Sequence, residues 1–390
     1  MKQIYLDYSA TTPVKKEVLQ EMLPFFSEDF GNPSSMIYSL GYRSKEAINT
    51  ARKRVADLIG ADENEIFFTS SGTEADNWAL LGAADAMKGK GKHIITSKIE
   101  HHAVLNSCAF LEKQGYRVTY LDVGPNGILD PASLAKAITD DTILISIMLI
   151  NNEIGTVQPV GELSAIAKKH GIFFHTDAVQ ALGNLHIDVK KLGIDAMSLS
   201  AHKIYGPKGT GALYIRKGAE ISNFMHGGAQ EGARRAGTEN LAGIVGFGKA
   251  AELARETLDG HIKKTTELRE YFIDAILANI PDVTVNGDRV KRHPGNVNVT
   301  FDFIEGEAVL SYLDIKGVSA STGSACSSAS NVPSHVLAAL GLPVEKIYSS
   351  LRFTIGAFTT KDDLGYVLSE LTNIVNKLRQ ISPVSKEKGW

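Results

Sequence analysis

"EIFFTSSGTEADNWALLGAADAMKGKGKHIITS", residues 65–97, reads as one complete strand–helix–strand unit. Its ends, "EIFFTS" (65–70) and "KHIITS" (92–97), are short β-rich runs, and "TEADNWALLGAADAMK" (73–88) between them has a helical pattern. The alternation continues through "YRVTYL" (116–121), "TILISIML" (142–149), "GIFFHT" (171–176), "AMSLS" (196–200) and "GALYIR" (211–216). Segments such as "HAVLNSCAFLEKQG" (102–115) supply further helices. This pattern predicts an α/β fold with a mostly parallel seven-stranded sheet covered on both faces. In such sheets ligands bind where loops leave the carboxyl ends of the strands, so the polar residues just after each run are the ones that matter.

Beyond residue 240 the pattern changes. A long helical stretch (about 240–280) leads to "VNVTFDF" (297–303), a helix around 306–316, a small-residue loop "ASTGSACSSAS" (320–330) and "SLRFTIG" (350–356). The expected division is a large α/β domain over 14–260, with a smaller α+β domain made of 1–13 and 261–390.

The charge balance of 41 basic against 44 acidic residues gives no electrostatic reason to expect nucleic acid or an anionic membrane surface. No apolar run is long enough to span a bilayer, and "MKQIYLDYSATTPV" lacks the apolar segment of a secretory signal. Two cysteines far apart exclude a disulfide framework and a Cys-only zinc site. The expectation is a soluble cytoplasmic protein with reduced thiols. Cys108 shares a helical face with Val104 and Leu111, as a small buried hydrophobe would. Cys326 has no such explanation: its neighbours Ser324, Ala325, Ser327 and Ser328 offer neither bulk nor periodicity.

The strand ends carry the chemistry. Ser71, Gly72 and Thr73 stand at a helix N-terminus, where backbone N–H groups and hydroxyls form an anion site, although the same residues make an ordinary N-cap. His101 and His102 follow a strand directly, and His102 reads as an exposed or capping residue without a role. "NNEIG" (151–155) brings two amides to a strand end, and "DAVQ" sets Asp177 and Gln180 at the mouth of the sheet. An acid there faces solvent or meets a cation, because burial without a partner is costly. "SLSAHKIYGPKGTG" (198–211) holds Lys203 between a strand end and a rigid turn, which makes it a candidate Schiff-base lysine. Pyridoxal phosphate needs a lysine, an acid for its pyridinium nitrogen and an anion site, and Lys203, Asp177 and the Ser71–Gly72–Thr73 turn supply all three.

With these segments assembled, the sequence resembles the cysteine desulfurases of the NifS/IscS type, fold-type-I pyridoxal-phosphate-dependent transferases. The resemblance runs through "YLDYSATTP", "FGNPSS", "FTSSGTEADN", "EHHAV", "NNEIG", "HTDAVQALG", "SAHKIYGPKG", "RRAGTEN", "STGSACSSAS" and "SSLRFTIG". It implies Lys203 as the attachment point of the cofactor, Asp177 against the pyridinium nitrogen, Gln180 and Asn152 on the ring, and His101 stacked on it and assisting proton transfer. It also implies that Gly72, Thr73, Ser200 and His202 bind the phosphate, while Thr238 caps it from the other subunit of a homodimer. Arg352 would clamp the substrate carboxylate, a task suited to its planar fork, and Asn32 would lie near the substrate. Cys326 would be the nucleophile that takes sulfur from L-cysteine as a persulfide and leaves L-alanine. The sulfur would pass to an iron–sulfur scaffold protein or another acceptor, and Cys326 could transiently ligate a cluster there; no resident metal is expected. A selenocysteine lyase or aminotransferase would share the cofactor residues, and a sulfur-relay scaffold is a reading of another class. Ala201, where many relatives have glycine, and Ser71 are small departures that keep a small side chain.

Overall fold

The computed structural model describes residues 3–35, 37–323 and 332–382. Strands are numbered along the chain. After β1 (Ile4–Tyr5) come β2 (Ile66–Thr69), β3 (His93–Ser97), β4 (Arg117–Leu121), β5 (Thr142–Ser146), β6 (Phe173–Asp177), β7 (Ala196–Ser200) and β8 (Gly211–Ile215). β2 to β8 form one sheet in the order β2-β8-β7-β6-β5-β3-β4. All neighbours are parallel except β8, which runs antiparallel to both β2 and β7. Every residue of β2, β3 and β5 to β8 is buried, which explains why these strands appear as β-rich runs without an apolar–polar alternation.

All seven expected runs form strands, with ends shifted by up to three residues. The run 142–149 leaves the ladder after Ser146 because the Met148 N–H donates to the Glu100 carboxylate at 3.0 Å. Leu149 N–H then returns to the Asp177 carbonyl at 2.8 Å. Asp177 closes β6 from within rather than following it.

The helix Gly72–Met87 starts where the Ser71 hydroxyl accepts the Glu74 N–H at 3.1 Å, and it buries Ala75, Trp78, Ala79 and Ala83 against the sheet. A 39-residue helix, Leu241–Asn279, joins two cores. Phe247, Ala250 and Ala251 near its start pack around the large sheet, and Phe272, Ile273 and Ile276 near its end pack into a second cluster. That second core surrounds β9 (Val283–Val285), β10 (Asn296–Phe301), β11 (Val318–Ser319) and β12 (Ser350–Thr354). Here β12-β10-β9 form an antiparallel sheet, and β11 pairs in parallel with β1. The expected strand 297–303 stops at Phe301, and Phe303 takes a left-handed φ of 71° that ends the extension. Among the described residues no helix is long and apolar enough to cross a membrane.

Candidate active site

A cavity of about 350 Å³ opens at the carboxyl ends of the central strands. Its floor comes from β6 and β7, one wall from the start of the helix Gly72–Met87, and the opposite wall from β12 and the N-terminal segment. That volume is within the range for cofactor and small-ligand sites.

Lys203 projects from the short turn Ala201–Lys203 that follows β7. Its ammonium donates to the Ser9 carbonyl and, at 2.9 Å, to the Ala10 carbonyl. The turn is fixed from below. Thr12 accepts the Tyr205 N–H at 2.9 Å and donates to the His202 carbonyl at 3.0 Å, while Tyr205 holds a left-handed φ of 66°. A non-glycine residue keeps such a backbone only where its surroundings enforce it.

Asp177 is 6% exposed, and its Oδ1 accepts the Val179 N–H at 2.9 Å. Burial pushes its carboxyl up; His101, the Val179 N–H and Lys203 pull it back towards the ionised form. His101 caps the helix His102–Lys113, its Nδ1 accepting the Ala103 N–H at 3.1 Å. That bond leaves the proton of the neutral ring on Nε2. Burial lowers the affinity of His101 for a second proton, Lys203 lowers it further, and Asp177 opposes both.

One wall of the cavity is a helix N-terminus. Gly72 opens a 16-residue helix whose first N–H groups have no partner within the helix. A Cβ at Gly72 would come within 2.6 Å of Val179 Cγ2, so only glycine lets the backbone sit this close to β6. Across the cavity Arg352 is 2% exposed. Its Nη1 donates to the carbonyls of Asn152 and Gly323, each at 2.9 Å, and its Nη2 meets Asp7 Oδ1 at 2.6 Å. Its Nε is buried without a hydrogen-bond partner among the described residues, and with the second Nη2 proton it leaves two of the five N–H donors unassigned there.

The match to known families follows this geometry. Residues 4–367 match the model of the aminotransferase class-V family. Over 386 residues the chain is 56% identical to the cysteine desulfurase IscS of Dictyoglomus turgidum, covering 99% of this chain and 98% of that protein. The chain belongs to the class-V aminotransferase family, among its cysteine desulfurases. It is also 57% identical to the cysteine desulfurase IscS of Methanosarcina thermophila, over 99% of this chain and 95% of that one. Among solved structures, a NifS-like protein matches with a TM-score of 0.91 at 35% identity, covering 97% of this chain and 100% of its own. A structure described as SspA in complex with cysteine matches with a TM-score of 0.82 at 38% identity, covering 92% of this chain and 100% of its own.

Ten of the residues expected at such a site line the one cavity: Gly72, Thr73, His101, Asn152, Asp177, Gln180, Ser200, His202, Lys203 and Arg352. Asn32 and Thr238 are exposed and do not line it within a single chain. Cys326 lies outside the described residues; Gly323, three positions earlier in the sequence, is on the cavity wall. Cys108 is fully buried, and burial pushes its thiol up to about 12, which removes it as a nucleophile near neutral pH.

His102, expected to be without a role, also lines the cavity and meets His335 ring to ring at a centroid distance of 4.8 Å. Asp7, Ser9, Asp76, Glu153 and His335 were not expected at the site. Asp7 orients Arg352, and Ser9 holds Lys203. Glu153 is 3% exposed and accepts the Ser334 hydroxyl at 2.5 Å. Of the five, Asp76 had a visible signal in the sequence: it falls on the same helical face as Ala79, Leu80 and Ala83, where an acid is out of place.

Proposed function

We propose that this protein uses pyridoxal phosphate to take the sulfur of L-cysteine onto Cys326, leaving L-alanine. The observation that carries this reading is the convergence of a lysine, a buried acid, a helix N-terminus and a buried arginine with a spare donor on one cavity. The residues suit the cofactor: Lys203 to bind its aldehyde carbon, Asp177 for its ring nitrogen, and Gly72, Thr73, Ser200 and His202 for its phosphate. When bound, the cofactor supplies an electron sink for the carbon next to the substrate amine.

The protein's own part is binding, orientation and proton movement. Arg352 Nε meets the substrate carboxylate while Asp7 holds the guanidinium plane. Lys203 leaves the Ser9 and Ala10 carbonyls and, once unprotonated, accepts the proton from substrate Cα. His101 Nε2 lies on the open side of a ring whose Nδ1 is occupied, which suits it to pass a proton at the substrate sulfur. The Cys326 thiolate attacks that sulfur, the substrate C–S bond breaks, and a proton is returned to the carbon left behind. Cysteine and a thiol thus become alanine and a persulfide, with no external oxidant. Thr238 and Asn32, exposed and off the cavity in one chain, fit contributions made across a homodimer. The persulfide sulfur passes to an iron–sulfur scaffold protein or another thiolation acceptor.

The test is to supply L-cysteine to protein loaded with pyridoxal phosphate and measure alanine and sulfide, with transamination as control. Stoichiometric alanine is expected from the wild type. Keto-acid formation without sulfide would overturn the reading.

A further inference from the structure

Asp76 is the one carboxylic acid on the buried face of the helix Gly72–Met87, where its neighbours are Ala75, Ala79 and Ala83. It is 1% exposed, lines the cavity, and its Oδ1 has no hydrogen-bond partner among the described residues. One ligand atom each from Asp76, Asp177 and His101 lie within 4.8 Å of one another. The nearest base on the sheet is His175 Nε2, 3.7 Å from Asp76 Oδ1, too far for a hydrogen bond. Both nitrogens of His175 are already engaged, Nδ1 with the Ser146 hydroxyl at 2.8 Å and Nε2 with the Ser198 hydroxyl at 2.9 Å.

Two carboxylates this close in a dry site cannot both ionise, so one of them holds a proton. The surroundings decide which. Burial raises the Asp177 carboxyl too, but His101, the Val179 N–H at 2.9 Å and Lys203 each draw it back towards ionisation. Only the Ser198 hydroxyl draws Asp76 towards ionisation, while the acids Asp177 and Glu100 face it, and no cation among the described residues lowers it. We infer that Asp76 is a neutral carboxylic acid that positions the charge of the site on Asp177, forming a carboxyl–carboxylate pair beneath the cavity. The direction of its acidity agrees: burial, Asp177 and Glu100 all push the Asp76 carboxyl well above the ordinary carboxylate range.

A consequence for the cofactor rests on the proposed function; the protonation of Asp76 does not. With a pyridine ring bound, Asp177 holds the ring-nitrogen proton. A neutral Asp76 keeps the proton affinity of Asp177 from rising, because no second negative charge stands behind it. Asp76 is therefore a positioning residue, acting through Asp177.

The test begins with apoprotein. The infrared difference between wild type and Asp76→Asn near neutral pH should show the loss of one protonated-carboxyl stretch. Carbon-13-labelled aspartate should shift that same band in the wild type, which assigns it to aspartate without any substitution. Glu100→Gln serves as a control, since burial pushes Glu100 up to about 8 and it contributes a second such band. In loaded protein, the pH dependence of the cofactor's visible absorption should barely move in Asp76→Asn, because a neutral group replaces a neutral group. The inference is overturned if no labelled band appears in the wild type. It is equally overturned if Asp76→Asn moves that titration by roughly one pH unit or more. A stoichiometric divalent cation lost in Asp76→Asn would overturn it too, because a ligand carboxylate is ionised. If the protein never binds the cofactor, the apoprotein band decides the question when Asp177→Asn is added: it should persist in Asp177→Asn and vanish in Asp76→Asn, and the reverse overturns the inference.

Discussion

Replacing Arg352 by lysine keeps its charge and removes its fork. In the wild type the guanidinium reaches three protein acceptors: the carbonyls of Asn152 and Gly323 from Nη1, and Asp7 from Nη2. A lysine that keeps Asp7 loses both carbonyl bonds of a charged donor, at about 1.5 kcal/mol each at the least, so the expected loss of stability is about 3 kcal/mol. Arg352→Ala is worse. It leaves Asp7 beside a buried hole with no cation, at about 3–5 kcal/mol. Function should suffer separately, because the Nε donor proposed to meet the substrate carboxylate has no counterpart in lysine. A tenfold to hundredfold rise in KM for L-cysteine is expected in Arg352→Lys, equivalent to about 1.4–2.8 kcal/mol. Denaturant unfolding of the apoprotein gives the first number and steady-state alanine formation gives the second. Cysteamine, which lacks the carboxylate, should bind wild type and variant about equally. If KM for L-cysteine stays within about twofold of wild type while stability falls, the guanidinium is a strut between elements and not a substrate clamp.

Three further outcomes can be checked. Lys203→Ala should abolish the visible absorption of bound pyridoxal phosphate, and a normal spectrum in that variant would assign the attachment to another lysine. Cys326→Ser should bind L-cysteine and release no sulfur, whereas Cys108→Ser should stay active and lose about 1–3 kcal/mol of stability from the buried hydroxyl; mass spectrometry after brief exposure to L-cysteine should find the added sulfur on the Cys326 peptide. His175 and His293 are buried, and desolvation lowers each to about 3. Between about 3 and 6.5 the unfolded chain therefore binds more protons than the folded one, so stability should fall as pH falls through that window. Each histidine contributes at most about 1.4 kcal/mol per pH unit, and His175→Gln should flatten the urea-midpoint profile there.

The sheet was legible because both its faces are covered, so its strands appear as unbroken β-rich runs that need no partner to be recognised. Lys203 and Asp177 were legible for a related reason: each sits at the carboxyl end of such a run, where α/β sheets hold ligands. What stayed hidden are contacts that tie distant segments together. Nothing local to Asp7 points to Arg352, and nothing near Glu153 points to Ser334. The neighbour of His102 was hidden for the same reason, since His335 arrives from the second half of the chain. The early end of β5 belongs here too, because the Glu100 carboxylate that captures the Met148 N–H comes from beyond the end of β3.

The segment from Asp7 to Thr12 ties these long-range contacts into one device. The Ser9 carbonyl accepts from Lys203 and, at 2.9 Å, from Gln180, and the Ser9 hydroxyl accepts the Thr354 hydroxyl at 3.0 Å. Thr11 pairs with His202 at 3.1 Å, Thr12 fixes the turn behind Lys203, and Asp7 orients Arg352. Both cations that face the cavity are thus placed by one short stretch, and that stretch begins in the second core through β1 and Leu6 while its later bonds reach the first. Arg352 is held by a carboxylate in a largely dry setting, and breaking such a pair costs several kcal/mol, so it stays in place. Lys203 donates to the backbone carbonyls of Ser9 and Ala10, bonds worth about 1.5–3 kcal/mol each to a charged donor. The residue proposed to hold still during reaction is thus fixed by a carboxylate and two backbone carbonyls at once.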